Sequence, residues 1–338
     1  MRMLAIPGDG IGPEVIDAAI AVLHACDLPL TIGTAPAGWA TFQQYGESLP
    51  ATTLADARAA DAILFGAVAS PSAPVAGYRS PIVRLRRELD LFANLRPVRG
   101  MRADLLVVRE NTEGLYAGRE RREDDGATAI AERVITRAAS RRIVTAAFEL
   151  ARRRAAPHGP RVTIVHKANV LRETCGLFRT TALDVAADFP DVATDELPVD
   201  TAALRLVQHP ESFDVIVTTN LFGDILSDVA CHWGGGLGLA RSANLGTHHA
   251  LFEPVHGAAP DIAGMGVANP LAAIGCAAWL LRQYAERSAD PSSPFHHAAA
   301  RIEAAITHVL AHGPLPRDLG GSATTAEITA GVLAHMAD

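Results

Sequence analysis

Val215-Ile216-Val217-Thr218-Thr219-Asn220-Leu221-Phe222-Gly223-Asp224-Ile225-Leu226-Ser227-Asp228 joins an apolar run to a polar turn and the opening of a helix. The run Val215–Val217 reads as a buried strand. Asp224 and Asp228 stand four residues apart, so both carboxylates share one helix face. Like charges so placed repel by about 0.2–0.5 kcal/mol in an isolated helix, which a plainly solvated face would not favour. A divalent cation between them reverses the sign, and all-oxygen donors point to Mg2+ or Mn2+ rather than zinc. The competing reading is that Asp224 complements the helix N-terminus while Asp228 faces water.

The same alternation extends outward along the chain and predicts an α/β fold. Further strands are expected at Met3–Ile6, Leu30–Ala35, Ala62–Phe65, Leu105–Val108 and Val162–Val165. Helices are expected over Pro13–Ala25, Ile82–Leu89, Ser140–Arg154, Thr174–Asp188, Thr201–His209, Ile225–Ala230, Pro270–Arg287, Ala299–His312 and Thr324–Met336. The last opens on a capping box, Thr324-x-x-Glu327. Arg119–Gly126 reads as a charged, solvated excursion, and Gly234-Gly235-Gly236-Leu237-Gly238 as a hinge or a turn needing positive φ.

A chain of 338 residues is long enough for two domains. Its 49% apolar and 20% charged residues fit a globular protein, and its net charge of −7 with no basic tract gives no footing for nucleic acid. Cys26, Cys175, Cys231 and Cys276 are far apart and form no CxxC pair, which predicts free thiols. No stretch approaches the roughly 18 apolar residues of a membrane span, and the opening residues do not resemble a signal peptide. A cytoplasmic location is expected.

Gly8-Asp9-Gly10-Ile11-Gly12-Pro13-Glu14 follows a strand and opens a helix, but Pro13 falls where a dinucleotide fingerprint needs its third glycine. Arg86, Arg96 and Arg109 are candidates for a polycarboxylate site, since the guanidinium fork suits bidentate carboxylate binding. The alternative is surface pairing with Glu88, Asp90 and Glu110, which suits Arg84 and Arg87 better. Tyr116 and Lys167 are a candidate acid–base pair, in which a nearby ammonium would lower the phenol's pKa. Spacing alone does not bring them together. Leu251–Gly264 is rich in small residues and suits a flat ligand, with Asp261 placed to accept from a ribose diol and repel a 2′-phosphate. Otherwise it is a structural loop in which His256 is simply satisfied.

Ile6–Glu14, Asp90–Pro97, Arg109–Tyr116, His166–Asn169, the opening stretch, Leu251–Gly264 and Asp318–Thr325 together resemble the decarboxylating β-hydroxyacid dehydrogenases. These are the isocitrate, isopropylmalate and homoisocitrate dehydrogenases, and the likeness covers nearly the whole chain. It implies a two-domain isopropylmalate dehydrogenase-like fold with a large mixed sheet, not a Rossmann fold. Residues 1–95 plus 238–338 would form the first domain, and 96–237 the second. It further implies a homodimer, or a dimer of dimers, with shared active sites.

By that resemblance Arg86, Arg96 and Arg109 hold the malate-like part of the substrate. Asp224 and Asp228 bind Mg2+ or Mn2+, with Asp200 coming from the other subunit. Lys167 of that subunit helps remove the hydroxyl proton as hydride passes to NAD, and Tyr116 protonates the enolate left by decarboxylation. The cofactor positions are Glu253, His256, Gly257, Ala259, Asp261, Ile262 and Asn269. Ala258 departs from the family, where a hydroxyl residue is commoner.

The substrate's variable arm would meet Tyr78–Leu85. The string Ser80-Pro81-Ile82-Val83-Arg84-Leu85-Arg86-Arg87 looks most like homoisocitrate dehydrogenases, with Arg79 and Ser80 meeting a distal carboxylate. Ile82 and Val83 would instead suit the isopropyl group of 3-isopropylmalate, and isocitrate is a third candidate. A catalytically silent regulatory subunit is the reading from another class, although such subunits usually lack part of the set that is complete here.

Overall fold

The computed structural model describes residues 1–73, 75–100, 102–154, 159–288 and 292–337. The chain begins with β1 (Arg2–Gly8), α1 (Gly12–His24), β2 (Thr31–Thr34), α2 (Trp39–Tyr45), α3 (Ala51–Ala59), β3 (Ala62–Ala67) and α4 (Pro81–Glu88). Next come β4 (Ala93–Arg99), β5 (Asp104–Glu110), β6 (Gly114–Glu123), β7 (Thr128–Val134), α5 (Arg137–Arg153), β8 (Arg161–His166) and α6 (Thr174–Ala186). After β9 (Ala193–Pro198), α7 (Val199–Gln208), β10 (Val215–Thr218) and α8 (Asn220–Cys231) lie β11 (Arg241–Leu245) and β12 (Ala250–Pro254). The final helices are α9 (Leu271–Ser288), α10 (Pro294–His312) and α11 (Thr325–Ala337).

Among these residues ten strands form one mixed sheet in the order β2-β1-β3-β12-β11-β4-β5-β10-β8-β9, while β6 and β7 pair separately. This is not the 3-2-1-4-5-6 order of a dinucleotide-binding fold. The expected α/β class with a large mixed sheet holds.

The chain divides into two compact units. The first comprises Met1–Leu89, Leu237–Ala243 and His248–Asp338, and the second Asp90–Gly236 and Asn244–Thr247. The first boundary therefore falls at Leu89/Asp90 rather than after residue 95. The reason is that β4 pairs antiparallel with β5 along its whole length, from Ala93–Glu110 to Arg99–Asp104.

In the second unit β10 lies parallel between β5 and β8, and every residue of β10 is buried. Strands covered on both faces read as continuous apolar runs, which is why these three were visible in the sequence. Val107, Val165, Ile216, Leu206 and Leu226 build the core between the sheet and helices α7 and α8. In the first unit α1 carries Pro13 in its first turn, where the fixed φ of proline suits the helix. Met3, Ile6, Ile63, Phe65 and Phe252 of its strands are buried with Val15, Ile16 and Leu280.

Two helix starts are corrected. Helix α8 starts at Asn220, not Ile225, so Asp224 lies a full turn inside the helix and does not serve its N-terminus. Arg119–Gly126 is solvated, as expected, and is built as the second half of β6 and the turn that pairs it with β7. Helix α10 begins at Pro294, ahead of Ala299. The glycine run is a turn, with Gly235 and Gly236 at φ of 89° and 88°.

Candidate functional site

The second unit gathers its charged side chains where β5 and β10 end. Arg109 is the penultimate residue of β5 and only 1% exposed. Its Nε and Nη2 both donate to Asn220 Oδ1, at 3.0 and 2.7 Å, and its Nη1 donates to Asp224. Arg96 on β4 donates to Ser227 Oγ at 2.7 Å, Asp228 Oδ1 at 3.1 Å and Asp224 Oδ1 at 3.2 Å. Its Nε rests on Asn94 Oδ1 at 3.1 Å, and Asn94 in turn donates to Asn244 at 2.8 Å. Burying a guanidinium is costly without such pairing, so this unit must keep its carboxylates in place.

Tyr116, near the start of β6, donates its hydroxyl to Asp224 Oδ2 at 2.5 Å. The Arg109 guanidinium sits 5.0 Å from the centre of its ring. Burial, the hydrogen bond to Asp224 and that residue's charge push the phenol's pKa up, with Arg109 opposing. The phenol is thereby held in its protonated, proton-donating form. The expected lowering by Lys167 is not found within one chain: the Lys167 ammonium is bound to Asp200 in the first turn of α7. That contact holds the Asp200 carboxyl below the usual range.

Asp228 is exposed at the outer end of the carboxylate pair. Packing around it pushes its carboxyl pKa up, Arg96 opposes this, and Asp224 adds to the rise. This like-charge pressure is what a cation would relieve. The two carboxylates are oxygen donors on one helix face and fit a hard divalent ion. Among the described residues, however, no three His, Cys, Asp or Glu side chains converge to hold a metal. One chain supplies a pair of donors, not a coordination sphere.

The sequence reading missed Asn220 and Gly223. Asn220, Asp224 and Asp228 recur at intervals of four, so a signal for Asn220 was present in the opening stretch but was assigned to a turn. Gly223 leaves room for Arg109: a Cβ there would lie 2.7 Å from Arg109 Cβ and Cγ.

In the first unit Arg86, near the end of α4, donates to Glu253 of β12 at 2.8 Å, with both side chains largely buried. Surface pairing does not describe Arg86, Arg96 or Arg109, and Arg84 donates to the Leu49 carbonyl. Glu88 is taken by Arg58, Asp90 by Arg142, and Glu110 accepts from the backbone of Thr112 and Glu113. Arg79 is exposed, and the half-buried Ser80 sits at the N-cap of α4 without using its hydroxyl there.

The loop after β12 follows the strand into a run of tight turns, with Ala259 at φ 38° and Gly264 at φ 73°. His256 Nδ1 lies 3.0 Å from Gly257 O, while its buried Nε2 has no partner among the described residues, so the ring is not simply satisfied. Burial holds its pKa below the ordinary value, with Asp318 and the backbone opposing. Gly257 has open space where a side chain would stand, and Asp261 is exposed beside half-buried Ile262. Asn269 bridges Asp318 and the first turn of α9. An unpartnered imidazole nitrogen, bare backbone and an exposed carboxylate fit a nucleotide cofactor.

The Gly8–Glu14 turn is structural. Asp9 accepts from the amides of Trp39, Ala40 and Ala69 at 2.7, 2.9 and 2.9 Å, so the loop holds its own anion and offers no phosphate nest. Gly10 permits close approach to Ala258, whose carbonyl accepts from Ile11 at 2.9 Å.

The α/β fold with a large mixed sheet and the buried arginine–carboxylate cluster fit an enzyme that handles a carboxylic acid. The profile of the isocitrate/isopropylmalate dehydrogenases matches residues 2–332, and the chain belongs to that family. It is 51% identical to an isocitrate/homoisocitrate dehydrogenase of Thermus thermophilus, over 98% of this chain and 97% of that protein. It is 46% identical to a 3-isopropylmalate dehydrogenase of Archaeoglobus fulgidus, over 96% of each. The crystal structure of isocitrate dehydrogenase from Methylococcus capsulatus superposes with a TM-score of 0.92 at 40% identity, covering 100% of this chain and 99% of that one.

Proposed function

We propose that this chain catalyses the NAD-linked, divalent-metal-dependent oxidative decarboxylation of a malate-type acid, with homoisocitrate, converted to 2-oxoadipate, as its preferred substrate. The observation that carries the reading is the cluster in which Arg96, Arg109 and Tyr116 converge on Asp224. Two buried guanidiniums there would bind the substrate carboxylates. The Tyr116 phenol holds a proton for return to the carbon that loses carbon dioxide. Asp224 and Asp228 would hold Mg2+ or Mn2+, whose charge supplies Lewis-acid stabilisation of oxyanion character. The loop residues Glu253, His256, Gly257, Ala259, Asp261, Ile262 and Asn269 would hold NAD, which accepts the hydride, and the Asp261 carboxylate disfavours a 2′-phosphate.

A second copy of the chain would complete the site with Asp200 and Lys167. That the described residues bring no third His, Cys, Asp or Glu to Asp224 and Asp228 supports this, as do Leu204 and Val207 of α7 and Ile225 of α8, each more than half exposed. Arg79 and Ser80 would meet the distal carboxylate of homoisocitrate. Ile82 and Val83, half-buried on the same helix as Arg86, favour 3-isopropylmalate as the second reading.

The test is NADH formation with Mg2+ by the purified chain alone, on homoisocitrate, isocitrate and 3-isopropylmalate side by side. The highest kcat/KM is expected for homoisocitrate. A methylene difference discriminates by only about 1–3 kcal/mol, so some turnover of isocitrate is expected too. A clear preference for 3-isopropylmalate would transfer the pocket to Ile82 and Val83, and no turnover of any acid would favour a regulatory subunit. Asp224→Asn should abolish metal-dependent turnover in a folded chain, as read by circular dichroism beside the assay.

A further inference from the structure

His248 and His249, in the turn entering β12, line an open cavity of about 470 Å³ with Arg58, Asp61, Tyr284 and Arg287. All six belong to the first unit. The cavity lies at the edge where β3 and β12 begin, whereas Glu253 and the loop after it leave β12 at its other end. It is therefore separate from the cofactor loop.

The charges around it are mostly positive and lightly committed. Arg58 donates to Glu88 at 2.6 Å, but that pair is exposed and easily exchanged. Among the described residues Arg287 donates to the His248 carbonyl, at 3.3 Å. Asp61, the acidic side chain in the lining, already accepts from the Arg2 amide at 2.7 Å. Burial, then the neighbouring His248 and the Arg287 and Arg58 guanidiniums, hold the His249 imidazole below its ordinary pKa. Positive groups converge here on a space large enough for a small organic ligand.

We propose that this cavity binds a phosphate monoester, its phosphate on the Arg58 and Arg287 guanidiniums and the histidine N–H groups, and its organic part against Tyr284. Guanidinium forks match phosphate oxygens two at a time, and several convergent donors suit a dianion with three terminal oxygens. The Tyr284 ring supplies an apolar wall that a free phosphate ion would not use.

Phenyl phosphate titrated into the full-length chain, with 15N-labelled histidines followed by NMR, tests this directly. Saturable shifts of His248 and His249 are expected, tighter for phenyl phosphate than for inorganic phosphate or phenol. Arg287→Ala, and the double variant Arg58→Ala/Arg287→Ala, should weaken binding about tenfold or more, the loss expected for a charge-assisted hydrogen bond. Both arginines are exposed, and an unchanged melting temperature confirms folded variants. No shift at millimolar phenyl phosphate, or equal affinity in the double variant, would overturn the proposal. Shifts produced by citrate at lower concentration than by phenyl phosphate would overturn the phosphate assignment.

Discussion

Alanine in place of Gly223 would favour α8 by about 1 kcal/mol on helix propensity alone. Its Cβ would also meet Arg109 Cβ and Cγ at 2.7 Å, and Arg109 is too buried to move aside freely. The steric effect wins. Gly223→Ala should lower kcat/KM by on the order of 100-fold, since misplacement by about 1 Å is enough for that. Steady-state kinetics beside a melting curve would read it, and unchanged kcat/KM would show that Arg109 does not depend on the gap.

At the same scale His166 makes a pH prediction. Its Nδ1 accepts from the Ala168 amide at 3.2 Å, and burial lowers its pKa although Glu196 opposes. The unfolded chain takes up this proton as pH falls below about 6.5, while the folded chain resists it. Stability from this source is complete above that pH and is lost as pH falls toward the folded pKa. Urea denaturation between pH 8 and 5.5 should show a shallower acid loss in His166→Gln than in the natural chain.

Among the elements, α11 carries the clearest local signal. Thr324 Oγ1 accepts from the Glu327 amide at 3.2 Å, and Glu327 Oε2 accepts from the Thr324 amide at 2.8 Å, a closed capping box. Thr324→Ala should cost about 1 kcal/mol in chemical denaturation without changing turnover, and a cost near zero would mean the cap is redundant. Such a box is legible because its partners are three residues apart. The strands β5, β8 and β10 were legible as apolar runs. By contrast β9 reads Ala-Thr-Asp-Glu-Leu-Pro and much of β6 is charged, because an edge strand and an isolated hairpin leave polar faces in water. The candidate site divides the same way. Asp224 and Asp228 announce themselves by spacing, but the Arg86–Glu253 pair and the Asp9 cap on α2 join residues far apart in sequence, and no local pattern contains them.

At the scale of the whole molecule, one chain leaves the residues of the proposed acid–base set divided. Lys167 and Asp200 are bound to each other, and Tyr116 and Asp224 to each other. If a second copy supplies the first pair to the second, two differently damaged chains can repair one another. Lys167→Ala and Asp224→Asn homodimers should each be inactive, while mixed dimers contain one site that carries both defects and one that carries neither. Co-refolding the two variants should therefore restore part of the activity, rising with the fraction of mixed dimer measured by native mass spectrometry. Mixed dimers that form and stay inactive would place both residues in the site of a single chain, and the proposed exchange between subunits would fall.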